Sequence, residues 1–91
     1  MNNTTESPKI IMMVAASKAL DYKSKKPLAE SNEIIQYVMM NVSAMSNMKI
    51  SAIAAANRDL KYKEQNPGAN NKEIMQRIMD ESAEIIESVD Q

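Results

Sequence analysis

Few side chains in these 91 residues could do chemistry, and each group is judged by type and spacing. Glu81, Glu84 and Glu87 stand one helical turn apart near the C-terminal end. Paired carboxylates serve general acid–base catalysis where a cleft separates their pKa values. Here they share a helix face with Asp80 and Asp90, which reads as a solvated acidic surface. A di-iron bundle needs Glu-x-x-His, and the chain has no His. It also has no Cys, which removes thiolate metal sites, Cys nucleophiles and disulfides. Nine Met include the pairs Met45 with Met48 and Met75 with Met79, but without Cys or His they read as core filler rather than ligands for a soft metal. A calcium loop opening at Asp21 would carry Lys23 and Lys25 where oxygen ligands belong, and it lacks the mid-loop Gly. The expectation is no enzyme, no metal and no cofactor.

Two basic clusters remain, Lys23, Lys25 and Lys26 in one place and Lys61 and Lys63 in another. They could touch nucleic acid, and this is the alternative function the sequence leaves open. Against it, 11 basic and 12 acidic side chains give a net charge of −1, without the excess that non-specific nucleic-acid binding draws on. No Gly-rich loop accompanies the lysines, and only Tyr22, Tyr37 and Tyr62 could stack on bases. The simpler reading places the lysines at helix C-termini, where each cation complements the helix dipole by about 0.3–1 kcal/mol. Tyr22 and Tyr62 then lay their rings over the open ends of helical hairpins with their hydroxyls wet.

The elements that position these residues show up as an internal repeat. At an offset of 40 residues and without a gap, Lys9-Ile10 matches Lys49-Ile50, Ala15-Ala16 matches Ala55-Ala56, and Leu20 matches Leu60. Tyr22-Lys23, Pro27, Ala29, Glu33-Ile34, Gln36 and Met39 recur as Tyr62-Lys63, Pro67, Ala69, Glu73-Ile74, Gln76 and Met79. Tetratricopeptide repeats have a period of roughly 34 residues and landmarks that are missing here. Each copy reads as a helical hairpin. Ser7 and Asn47 serve as N-caps, Pro8 stands at the first helical position, and Pro27 and Pro67 bar continuation with Gly68 as a second break. Asn70 with Glu73 approximates a capping box. Period-two alternation is absent.

These signals predict an all-α fold with helices over 8–24, 31–46, 48–64 and 71–88, two hairpins (7–46 and 47–88) packed as a four-helix unit. Residues 1–6 are expected to form a disordered tail and 7–91 a single domain. The expected core seams are Ile10, Met13 and Leu20, then Ile50, Ile53 and Leu60, joined by Ile34, Val38 and Met39 and by Ile74, Ile78 and Met79. No apolar run approaches the roughly 20 residues that span a bilayer, and Met1 to Ser7 is not basic, so a cytoplasmic protein is expected.

The two copies differ instructively. In copy one Tyr37, Met40, Ala44 and Met48 fall at i, i+3, i+7 and i+11, forming a second apolar stripe. Copy two has Arg77, Asp80, Glu84 and Ser88 there, and it replaces Ile11, Met12 and Ala19 with Ser51, Ala52 and Asp59. The sequence therefore predicts one hairpin apolar on several sides and one amphipathic hairpin. A surplus apolar stripe marks a candidate interface, so Tyr37, Met40, Ala44 and Met48 are expected to bind a protein partner, most simply a second copy in a homodimer.

Overall fold

Proline and the helix ends explain most of the backbone. The structure is a computed structural model that describes residues 8–42 and 46–89. Those residues form five helices and no strand: α1 (Pro8–Lys25), α2 (Ser31–Asn41), α3 (Ser46–Gln65), α4 (Asn71–Asp80) and α5 (Ser82–Val89). Pro8 opens α1, where its missing N–H has no intrahelical partner to lose. The expected cap Ser7 lies outside the described residues, whereas Asn47 falls inside α3 rather than ahead of it.

Both first helices close in the same way. Lys26 N–H donates to Tyr22 O at 2.8 Å and Ala29 N–H to Lys26 O at 3.0 Å; Asn66 and Ala69 repeat these bonds at 2.8 and 2.9 Å. Lys23 Nζ donates to Pro27 O and Ala29 O, and Lys63 Nζ to Ala69 O at 2.8 Å. The two loops share a shape although one carries Leu28 where the other has Gly68. Gly68 does not adopt a positive φ, and a Cβ there would meet nothing within 4 Å. It is therefore not the helix breaker expected of it; Pro67 and the lysine clamp suffice.

The second helices start differently. Asn70 caps α4 with a full capping box, Glu73 N–H donating to Asn70 Oδ1 at 2.9 Å and Asn70 N–H to Glu73 Oε1 at 3.0 Å. Glu30 holds the equivalent place before α2 and makes no side-chain cap, which leaves Glu33 free to accept from the Tyr22 hydroxyl. Both second helices also stop sooner than the apolar pattern suggested. α2 ends at Asn41, whose amide donates to Tyr37 O at 2.7 Å and so competes for a carbonyl of the last turn. α4 ends at Asp80, and the Glu81 N–H is shared between Arg77 O at 3.0 Å and Ile78 O at 3.2 Å before α5 resumes.

Packing centres on α1 and α3. Lys23 and Lys63 line one groove, the Asn71 amide donates to Ser24 Oγ at 3.3 Å, and Ile10 lies beside Met79. α4 thus runs antiparallel to α1 as well as to α3, so α1 and α3 are parallel and both loops sit at one end. Ala15, Ala16 and Ala19 meet Ala52, Ala55 and Ala56, all essentially without exposure, and six small side chains let the two backbones approach closely. On one side of this pair, Ile11, Ala15, Ala19, Ala52, Ala56 and Leu60 join Ile34, Val38 and Val42 of the α2 segment. On the other, Met12, Ala16 and Ala55 join Ile78 of α4 and Ile85 of α5.

The buried face of α1 is therefore Ile11, Met12, Ala15, Ala16, Ala19 and Leu20, not the expected seam through Ile10 and Met13. Ile10 is 43% exposed and Ile50 55%. Ile11, Met12 and Ala19, which have Ser51, Ala52 and Asp59 as counterparts, are core, because α1 is covered on two sides and buries two adjacent i, i+4 rows. Two substitutions test the loop analysis by urea denaturation. Gly68→Ala should raise stability by about 0.4–1 kcal/mol, since the backbone is compatible and the unfolded chain loses freedom. Asn70→Ala should lower it by about 1 kcal/mol through loss of the cap.

Candidate functional site

The four residues expected at an interface do not form one helix face. Tyr37 is half-buried against the α2-side core, with its ring 4.7 Å from that of Tyr22. Met40 is 83% exposed. Ala44 lies outside the described residues, and Met48 belongs to α3, where it packs half-buried against the same core. The spacing i to i+11 assumed a helix that in fact stops at Asn41. Tyr37 also has a structural counterpart after all, because the Arg77 guanidinium lies 4.1 Å from the Tyr62 ring centre. Residues at these two positions each cover a tyrosine, one by stacking and the other by a cation–π contact.

Exposed apolar surface gathers elsewhere. Ile10, Met13, Val14 and Met79 line a groove of about 450 Å³ between α1 and α4, with Lys9, Ser17 and Lys18 around it. Sequence reasoning assigned Ile10 and Met79 to the core. The signal that could have separated them was the Ala row, since Ala15, Ala16 and Ala19 mark the side on which α1 touches α3 and Ile10 is off that side.

The lysines come together at the loop end, but most of them are engaged. Lys23 and Lys63 clamp loop carbonyls, Lys25 pairs with Asp21 at 3.2 Å in the open, and Lys26 Nζ sits 5.3 Å from the Tyr22 ring centre. Lys61 is exposed. A groove lined by Lys23, Lys63, Ser31, Ile34, Leu60, Glu64 and Pro67 separates the two loops. Neither loop turns its backbone N–H groups into a phosphate cradle: Lys26, Ala29, Asn66 and Ala69 donate theirs to the chain's own carbonyls. Among the described residues, no helix is long and apolar enough to cross a membrane.

A polar network ties α3 to the α4–α5 junction. Glu81 accepts from Arg58 Nη1 at 3.0 Å and from the Tyr62 hydroxyl, and Glu84 lies 3.8 Å from the same guanidinium. The tyrosine bond, followed by that from Arg58, holds the Glu81 carboxyl below its usual range despite partial burial. Burial and the same carboxylate push the Tyr62 phenol up. Glu81 thus acts as a tether rather than as one of a row of solvated acids.

Asp59 was missed. The sequence puts it in the amphipathic hairpin as a polar replacement for Ala19, yet it is fully buried, and neither carboxyl oxygen has a hydrogen-bond partner. It lies one turn beyond Ala55 and one before Tyr62, both of which pack in the α4–α5-side core. Burial alone pushes its pKa up to about 8. No period or motif reveals such a residue: an Asp on a helix reads as surface unless the packing partners are known. Its counterpart Ala19 was the available hint, since a small buried residue marks the position as interior. A carboxyl near this pKa suits general acid–base work, but this one is sealed from any substrate.

Set against family models, curated proteins and solved structures, the chain has no match.

Asp59 makes stability depend on pH in a defined direction. In the unfolded chain its carboxyl ionises near 3.8, whereas in the fold it holds its proton up to about 8. Its contribution is most favourable below the lower value, declines as pH rises between the two, and levels off above the upper one. The loss is up to about 1.4 kcal/mol per pH unit, reached where the unfolded carboxyl is ionised and the folded one is not. With no His and no Cys, no other side chain of ordinary pKa titrates between about pH 5.5 and 8. Thermal melts should therefore show wild type losing stability across that window while Asp59→Ala stays flat and melts higher at pH 8. A flat wild-type profile would contradict the assignment.

Proposed function

We propose that this chain is a duplicated helical hairpin, a four-helix unit whose last helix is interrupted at Glu81, and that it works in the cytoplasm by protein–protein association, as a homodimer, without catalysis. The matching loop bonds and lysine clamps at a 40-residue offset support the duplication. The association reading rests on one observation: large apolar side chains stand exposed on small helices that have core positions available. Ile10, Val14 and Met79 border the α1–α4 groove, and Met40 projects from α2. A stable interface takes roughly 800 Å² from each partner, about a seventh of the 5820 Å² this chain exposes. Methionine suits such a surface because its side chain adapts to the contour it meets.

The lysine clusters favour the nucleic-acid alternative less. Lys23 and Lys63 are committed to loop carbonyls, and the nearby C-terminal ends of α1 and α3 present negative dipole ends that repel phosphate.

Light scattering across micromolar concentrations decides the matter, with circular dichroism to confirm folding. Wild type should weigh as a dimer. Val14→Asp probes the groove and Met40→Asp the α2 face, and because both side chains are exposed, each variant should stay helical. The variant at the true interface should fall to monomer mass. A wild type that is monomeric throughout, or a dimer indifferent to both changes, would refute the association surface proposed here.

A further inference from the structure

Three polar side chains are buried among the described residues: Ser51, Asp59 and Ser82. The residues 40 positions earlier are Ile11, Ala19 and Val42, all members of the α2-side core. Among the described residues, buried polarity is thus confined to one half of the interior, the half that seats α4 and α5. The contiguous apolar cluster there takes in Met12, Ala16, Ala55, Ile78 and Ile85, with the carboxyl of Asp59 one turn along α3. α4 and α5 touch α1 and α3 but not α2, and the chain joins them to α3 through the short 66–70 loop.

We propose that α4–α5 is a releasable arm: it closes on α3 while Asp59 is neutral, and loss of the Asp59 proton detaches it about the 66–70 loop while α1, α2 and α3 remain together. An ionised carboxylate in this position has nothing to pair with. On α3, Arg58 is held by Glu81 and Glu84, Tyr62 by Glu81, and Lys63 by Ala69 O. On α4, Arg77 lies over Tyr62, Glu73 is bound in the cap of Asn70, and Lys72 and Asp80 are exposed. On α5, Glu84 and Glu87 are exposed and of the same sign. On α1, Lys23 clamps its own loop, Tyr22 donates to Glu33, and Lys18 stands on the groove of Ile10 and Val14. A buried charge without a partner is costly, and the least costly relief is to open the element that covers it. The raised pKa of Asp59 has the sign this device needs. Release would also bare Ile78 and Ile85 together with Met12, Ala16 and Ala55, a second apolar surface distinct from the α1–α4 groove. The proposal does not depend on the association reading.

Amide hydrogen exchange resolved by segment tests it, at about pH 6 and about pH 9, on either side of the Asp59 transition and corrected for intrinsic exchange. In wild type, protection over residues 71–89 should fall about tenfold or more at the higher pH, with α2 protection retained. Asp59→Ala, which installs the residue found at position 19, should abolish the difference. A parallel carbon-13 titration of the Asp59 carboxyl in the wild type needs no variant to fold. Equal loss of protection in α2 and α4–α5, a pH effect that survives in Asp59→Ala, or a carboxyl titrating in the ordinary range would each overturn the proposal.

Discussion

The close contact of α1 with α3 is the constraint on which the rest of the structure depends. Six alanines line it, and because none carries a side chain beyond Cβ, the two backbones come near enough to act as one central slab. A slab of two parallel helices has two sides, and each needs its own cover. α2 supplies one and α4–α5 the other, so neither hairpin closes on itself alone. Beside the alanine contact, Ile34, Val38, Ile74, Ile78 and Ile85 of the covering helices and Met12 of α1 supply the large, fully buried apolar side chains.

The two covers are unequal. On the α2 side every buried position among the described residues is apolar, and Tyr37 extends the packing onto Tyr22. On the α4–α5 side Ser51, Asp59 and Ser82 interrupt it, and much of the attachment passes to polar groups at the margin, where Glu81 gathers Arg58 and Tyr62. An unsatisfied buried carboxyl works against folding, so its presence weighs against the stability of the half that holds it.

The surface follows the same logic of position. Lysines at the ends of α1 and α3 complement the helix dipoles, and Lys23 and Lys63 also donate to carbonyls of the loops that follow. The apolar groove between α1 and α4 exists because the slab buries Ile11 and Met12, turning Ile10 and Val14 outward on the next row with Met13 half-buried between.

Much of this was legible in the amino-acid sequence alone, and the divide has a physical basis. Helicity, the stops before Pro27 and Pro67, the lysines at helix ends and the Asn70–Glu73 cap depend on residues within a few positions of one another, where backbone sterics and local hydrogen bonds decide. Only the tertiary structure decided which apolar row of α1 became core, that Met48 left the stripe of Tyr37 and Met40, that both lysine loops share one end, and that Asp59 is interior. Each of these is set by which helix lies opposite. A helix with apolar residues on several sides has more than one self-consistent way to be buried, and the alanine contact between α1 and α3 selects one of them. Once it does, whether Asp59 or Ile10 meets water follows from geometry that no local pattern contains.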